Sequence, residues 1–512
     1  MDADVIIVGA GPTGLMLAVE LGLAGVDALV LERHPQIREI PKAGGLSGQI
    51  VELLRYRGVL ERFEVASPGP VPALRLPFGE VHVDMTSLPE PPMHLLLLPQ
   101  PRLEGVLDEL ARELGAEIRR EHEVVDVNQD DAGVAADVRG PDGQHRLTAR
   151  YLVGCDGSRS RVRDLAGFPF PGITYPEVNR LGQTTVPHGV TVLENGDLEV
   201  AGVGRFNFGF TRTERGVFAA GSVDPARLGV FTSEEETADY DDDEPMTVTE
   251  LGESISRVLG VDLPLGEPTR LTRFTFHARH VERYRDKRIM LAGDAAHLFP
   301  APGVALNAGM MDSVNLAWKL AAAIQGWAPA GLLDTYHEER HVAGERTLLH
   351  TRAQVALRRG HDAAAIALRE LFQELVGDDD AARRIGAMIA GTDIRYPIPN
   401  PNQHALTGTF ALSLDLHTDD GPAGIAGLTH TARPVLLDLA DRADLREAAR
   451  GWEERVDLVN ADVVDRPADA LLIRPDAYVA WAATAGQPGD EDAVALREAL
   501  AHWFGEPLPP PV

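Results

Sequence analysis

Within its first 32 residues the chain passes through a β-branched apolar run, VIIV at 5–8, and then three glycines spaced G-x-G-x-x-G, Gly9, Gly11 and Gly14. An almost wholly apolar stretch to Gly25 follows, then a second apolar run at 28–31 and an acid, Glu32. A continuous apolar run fits a strand covered on both faces, as in a parallel sheet. The stretch after the glycines, opened by Pro12 and Thr13, reads as a buried helix, so the segment is a βαβ unit. Gly9 permits the tight turn, Gly11 lets backbone approach a pyrophosphate, and Gly14 lets helix and strand pack closely. The helix start offers amide donors and partial positive charge to phosphates. Glu32, followed by Arg33, stands where a carboxylate accepts both hydroxyls of an adenosine ribose. An acid there argues against a 2′-phosphate, so the expected ligand is FAD or NAD rather than NADP.

Composition narrows the partners. Lys and Arg number 48 against 78 Asp and Glu, a formal net charge of −30, which argues against nucleic acid and anionic lipid as partners. A single cysteine, Cys155, rules out an intramolecular disulfide and reads as a buried filler. No apolar run reaches the roughly 18 residues needed to span a bilayer, and the acidic first residues do not resemble a signal peptide. The expectation is a cytoplasmic protein without a membrane segment.

Further along, residues 103–114 read as an amphipathic helix, 117–127 and 134–138 as strands, and 141–143 (PDG) as a turn. Residues 175–275 are rich in Thr, Val, Phe and Gly and alternate like an antiparallel sheet, with a hairpin signal at Asn195-Gly196. The acidic stretch from Glu234 to Glu244 reads as a solvated loop. The run RIMLA at 288–292 reads as a buried strand leading to Gly293 and Asp294, and 307–325 as a long helix closed by Gly326. RYPIPNPNQ at 395–403 reads as a linker, and the remainder as a small α/β domain. The expected division is 1–175 with 275–395, an inserted 176–274, and 396–512.

The segment 288–320 selects FAD over NAD. Asp294, after a strand, is placed to bind ribityl hydroxyls, and the start of the following helix to stabilise negative charge on a reduced flavin.

On three motifs the sequence resembles the flavin-dependent aromatic hydroxylases of the para-hydroxybenzoate hydroxylase type, and more narrowly the aromatic polyketide hydroxylases. The motifs are GAGPTG at 9–14 with Glu32, YLVGCDGSRSRVR at 151–163, and AGDAAH with its loop and helix at 292–320. LLDTYHEERH at 332–341 and LLIRPDAYVAWA at 471–482 also match. The resemblance implies an α/β fold: a Rossmann-type FAD-binding domain, an inserted antiparallel-sheet substrate domain and a C-terminal thioredoxin-like domain. Having no cysteine, that last domain does no thiol chemistry. The resemblance also implies NAD(P)H as a transient reductant and O₂ as co-substrate. A flavin C4a-hydroperoxide would then hydroxylate a polycyclic aromatic polyketide intermediate of antibiotic-type biosynthesis.

By the same resemblance Lys42, Gln100, Arg102, Asp156, Gly157, Gly293, Asp294, Pro300, Gly303, Leu306 and Asn307 join the glycines, Pro12, Thr13, Glu32 and Arg33 as cofactor-binding candidates. Arg159, Arg161 and Arg163 either steer a pyridine nucleotide or form a solvated face. His297 is either a site residue or a structural histidine. Pro302, Val304 and Ala305 replace the family's usual glycine, glutamine and glycine, and Lys42 and Gln49 stand at arginine places. The altered loop keeps open a non-oxygenating redox enzyme (oxidase, reductase or dehydratase) on the same substrates; a related branch of the family implies a Baeyer–Villiger oxygenase as an alternative, and a non-catalytic binding subunit is a third. No catalytic base is singled out. No HxxxH pair is read as a metal site, and no metal is expected. The assembly expected is a monomer or homodimer.

Overall fold

The structure is a computed structural model, described here over all residues except 40–42, 66, 68, 194–196, 207–208, 222–226, 236–244, 361, 400–403, 419–420, 487–488, 490 and 510–512. The first sheet has a parallel core. Across it lie the strands Ile289–Leu291, Gly143–Gly154, Ala3–Val8, Ala28–Glu32 and Glu117–Arg120. Val5, Ile6 and Ile7 are wholly buried, as the unbroken apolar run requires. Each such side chain contributes about 1.5–3 kcal/mol on leaving water. In this register Val8 stands beside Leu31 on one side and Gly154 on the other, and Gly154 beside Leu291. Four connections therefore leave the sheet from one row, at the carboxyl edge where open α/β sheets bind ligands.

The helix Pro12–Leu23 packs against the long helix Ala305–Gln325. That helix begins two residues earlier than its sequence suggested and ends, as expected, at a left-handed Gly326. Close approach is enforced by missing side chains: a Cβ on Gly309 would lie 2.7 Å from Thr13 Oγ1 and 2.9 Å from Gly293 Cα. Ser313 Oγ donates to the Thr13 carbonyl at 2.7 Å, fixing the crossing.

The middle sheet is antiparallel throughout. Its order is Gly209–Thr213, Gly216–Gly221, Arg227–Glu235, Gly172–Thr185, Pro268–His280 and His297–Leu298. One face is covered by the helix Val248–Leu259, whose Leu251, Ile255 and Val258 join Phe218, Leu228 and Val230 in a core. Glu234 corrects the expectation of a solvated loop. It lies in a strand, 6% exposed, because Arg180 and Arg257 both donate to it from that covered face. Residues 236–244 and the turn at Asn195-Gly196 lie outside the described residues, although the flanking strands Val190–Val192 and Leu198–Val200 do pair antiparallel.

The last sheet contains Asp457–Asp462, Val435–Asp438, Ala470–Ile473 and Val479–Ala483 in that spatial order, the first pair parallel and the others antiparallel. A βαβ unit followed by a hairpin and a helix, Asp492–Phe504, is the thioredoxin-like arrangement. It is joined to the first domain by buried charge. Lys319 donates to Glu339 at 2.7 Å, and Arg474 donates to Glu339 at 2.9 Å and to Asp476. None of these four side chains is more than 1% exposed. Burial drives the Lys319 ammonium down to about 8 against the opposing pull of Glu339.

Candidate active site

Gly9 sits at φ +106°, and a Cβ there would fall 2.5 Å from the Cys155 carbonyl oxygen. Gly14 is packed harder still, 2.0 Å from the Gly9 carbonyl oxygen. Gly11 is different: nothing lies within 4 Å of its Cβ position, and no side chain caps the helix it opens. Backbone amides at this helix start thus face open space, with Pro12 pre-set at the first turn. Glu32 accepts the Ala10 amide at 2.9 Å and the His34 amide at 2.8 Å, one on each carboxylate oxygen. Each oxygen keeps a further lone pair for a ligand hydroxyl. Arg33 is exposed and donates to His34.

The second connection carries Asp156 and Gly157. The Asp156 carboxylate is turned onto its own loop, accepting from Arg161 N at 2.7 Å, Val162 N at 3.1 Å and the Ser160 hydroxyl. Burial raises its pKa, opposed by those donors. Asp156 therefore shapes the turn, while Gly157, at φ +84° with nothing within 4 Å of its Cβ position, leaves the turn's backbone open. Arg163 fits neither sequence expectation. It is 6% exposed, lies 4.2 Å over Phe170, and donates to the Ser158 carbonyl. Arg159 and Arg161 are exposed. Burial pushes the Cys155 thiol well above its ordinary range, so it is inert filler.

The third connection, Gly293–Ala295, is one turn of 3₁₀ helix with Gly293 at φ +63° and Asp294 exposed. Its anchor is a residue the sequence did not single out. Asp312, wholly buried in the long helix, accepts from Gly293 N at 2.9 Å, His297 Nε2 at 2.9 Å and Arg340 Nε at 2.6 Å. Burial alone would raise this carboxyl, but Arg340 and His297 hold it below its usual range. Its signal was its spacing, an acid on an apolar helix face 19 residues after the turn it holds. His297 is accordingly 1% exposed, stacked on Phe299 and paired with Asp312.

The loop between this turn and the long helix is held from several sides. The Pro300 carbonyl accepts from Arg358 at 2.8 Å, and Val304 packs with Phe299, Leu348 and Ala278. Gly303, at φ +84°, has open space about its Cβ position. Asn307 Nδ2 donates to the Ser47 hydroxyl at 2.8 Å while its Oδ1 accepts the Ser47 amide at 3.0 Å, and Leu306 beside it is half-buried. Gln100 and Arg102 lie on a helix, Gln100–Glu113, in its first turn. Gln100 bridges the Ala43 amide at 3.2 Å and Glu104 at 2.7 Å, and Arg102 is exposed. Lys42 lies outside the described residues. Gln49 is buried and accepts from Tyr478 of the last domain at 3.1 Å, away from the arginine role its position suggested.

The uncovered face of the middle sheet looks toward this loop. Residues directly opposite in neighbouring strands share a face. One row reads Phe210, Ala219, Phe231, Leu181, Thr272, and the next Arg212, Val217, Ser233, Asn179, Phe274. Five strands span about 19 Å. Further along the last strand, Phe276 and Ala278 reach Phe299 and Val304. Along Arg227–Glu235 helix-facing residues are buried, while Phe231 and Ser233 on this face are only half-buried, as befits a wall awaiting an occupant. Two polar atoms here are buried without a partner, Arg212 Nη1 and Thr272 Oγ1, although Arg212 also donates to Glu80 and the Arg358 carbonyl.

The segment LLDTYHEERH holds one HxxxH pair. His337 and His341 stand one turn apart on Thr335–Arg358, and His341 stacks on His280 at 4.3 Å. Among the described residues, however, no group of three or more His, Cys, Asp or Glu is placed to hold a metal ion, and no helix is long and apolar enough to cross a membrane.

Two family models match the chain: an FAD binding domain over residues 2–351, and the C-terminal domain of aromatic-ring hydroxylases over 404–507. A Streptomyces rimosus protein named 12-dehydrotetracycline 5-monooxygenase/anhydrotetracycline 6-monooxygenase is 39% identical, covering 99% of this chain and 100% of that one. A Streptomyces rugosporus protein named dialkyldecalin synthase is 39% identical, covering 99% of each. Among solved structures, CabE, an aromatic hydroxylase from angucycline biosynthesis, superposes with a TM-score of 0.87 at 38% identity, covering 99% of this chain and 100% of that one.

Proposed function

The chain belongs to the FAD-binding aromatic-ring hydroxylases, and from that premise we propose that it is an FAD-dependent monooxygenase that hydroxylates a polycyclic aromatic polyketide, with NAD(P)H as transient reductant and O₂ as co-substrate. The observation that carries the substrate class is the half-buried sheet face. Phe210, Phe231 and Phe274 offer ring-sized apolar surface over several strands, and Arg212 Nη1 and Thr272 Oγ1 offer polar contacts for ring oxygens.

The open backbone at Gly11, Gly157 and Gly303 fits the cofactor, since each has room where a side chain would stand. Gly9, Gly11, Pro12, Thr13 and Gly14 would hold its pyrophosphate, with Glu32 on the adenosine ribose and Asp294 on the ribityl chain. Gly293, Pro300, Gly303, Leu306 and Asn307 would border the flavin ring. Bound FAD supplies the hydride-accepting and oxygen-activating chemistry. The chain orients and shields. Asn307 pins the helix start to Ser47, leaving the helix's first amides, which no side chain caps, toward the ring. Val304 and Phe299 close the apolar side of the loop against water. Glu32, Gln100 and Asn307 act by position alone, and no proton transfer is assigned to a side chain.

The test is the fate of oxygen. Under ¹⁸O₂ and NAD(P)H, the purified yellow protein is expected to place one labelled atom in a polycyclic phenolic product. Turnover that leaves no label in product rejects the oxygenase reading. A second reading, redox or ring-forming tailoring of the same substrates without oxygen insertion, is favoured by the loop itself. Pro302 removes an amide donor and Ala305 a glycine, and one relative at 39% identity is named a synthase. Cytoplasmic residence and a monomeric or homodimeric state complete the proposal.

A further inference from the structure

Away from the cofactor cleft, the helix Asp492–Phe504, the strand Val479–Ala483 and the chain near Ile398 line a cavity of about 190 Å³ that opens to solvent past Pro399, Glu498 and His502. Apolar surface comes from Ile398, Pro399, Ala480, Ala495, Ala499, Trp481 and Trp503, and polar groups from Thr407, Glu498 and His502. Trp481 is 3% exposed, and its Nε1 is buried without a hydrogen-bond partner. Buried indole N–H groups normally find an acceptor, and leaving a donor unmet costs about 1–3 kcal/mol. Cavities of about 150 Å³ accept one benzene-sized ring. The volume is ample for one ring. Glu498 in the wall and a net charge of −30 disfavour an anion.

We propose that this cavity is a binding site for a neutral, single-ring aromatic molecule bearing one hydrogen-bond acceptor, its ring against the two indoles and its acceptor on Trp481 Nε1. The site is separate from the flavin cleft but close to its supports. Arg474 lies 4.4 Å over the Trp503 ring and donates to Glu339, the neighbour of Arg340. A bound ring would therefore stand one side chain away from the buried charges that join the domains.

The experiment uses the full flavin-loaded chain labelled with 5-fluorotryptophan, whose five tryptophans give separate ¹⁹F resonances. Benzyl alcohol is titrated against toluene, which has the same ring without the acceptor. Two resonances, assigned by Trp481→Phe and Trp503→Phe, are expected to shift saturably with benzyl alcohol, which binds about 5- to 10-fold tighter than toluene. Trp481→Phe is expected to erase that difference. Ala499→Leu, which fills the cavity, is expected to abolish binding of both probes while the protein stays folded and yellow. No saturable shift up to the solubility limit, equal affinity for the two probes, or binding that survives Ala499→Leu would each overturn the proposal.

Discussion

Gly293 donates its backbone amide to the Asp312 carboxylate at 2.9 Å, from a turn at the sheet edge to the interior of a helix. Arg340 and His297 hold the same carboxylate, so the turn bearing Asp294 is fixed by three elements at once. Removing the carboxylate strands a guanidinium that is 3% exposed. Asp312→Ala is expected to cost about 3–5 kcal/mol, read as a lowered denaturant midpoint. Asp312→Asn keeps one acceptor for Gly293, and is expected to leave a folded protein that binds FAD at least about 10-fold more weakly, equivalent to about 1.4 kcal/mol. An unchanged flavin Kd in Asp312→Asn would separate this residue from the cofactor turn.

The glycines of the first turn divide by what surrounds them. Gly11→Ala adds a methyl into open space, so the flavin-free protein should melt as the parent does while FAD affinity collapses. Gly14→Ala places a carbon 2.0 Å from the Gly9 carbonyl oxygen, so the fold itself should suffer. Differential scanning fluorimetry with and without added FAD distinguishes the two, and equal melting losses in both flavin-free variants would contradict the assignment.

Acid should weaken the fold well above the carboxylate range. Burial, together with His297 and His341, lowers His280 to about 3, with Asp312 opposing and His337 assisting. Burial likewise lowers His350 to about 4. Between those values and about 6.5 the unfolded chain binds the extra protons, so stability is full above 6.5 and lost as pH falls through that window. The loss approaches about 1.4 kcal/mol per pH unit for each histidine. Melting curves from pH 7.5 to 5 should slope downward below 6.5, and His350→Gln should make the slope shallower. A midpoint that stays level to pH 5 would remove these histidines from the account.

Phe231 sits mid-row on the open sheet face, between Ala219 and Leu181. Phe231→Ala should raise the Kd of a polycyclic substrate about 10-fold, from lost ring contact. It should also increase peroxide released per NAD(P)H consumed, with flavin Kd unchanged. Tight, fully coupled turnover in this variant would move the substrate off the sheet.

The parts of the molecule legible in the sequence are those whose constraints are local. Gly9, Gly11 and Gly14 announce themselves because a turn and a close approach are decided within a few residues, and the parallel core because VIIV has no polar side to expose. The wall from Phe210 to Thr272 was not legible, since it exists only through the register of five strands. Asp312 was hidden for a related reason: its partners come from three separate segments. Asp156 shows the opposite limit. Its motif resembles a ligand-binding one, and its carboxylate accepts from the amides of its own turn, a local role that the motif alone does not show.

The charges that meet at Glu339 bear on how such proteins can be recombined. Lys319 and Glu339 belong to the first matched segment, Arg474 and Asp476 to the second, yet they form one closed set. A chimera spliced in the proline-rich stretch near residue 397 would cut the chain at its most permissive point and still tear a seam in the interior. Exchange of the terminal module between relatives should succeed only when all four side chains travel together.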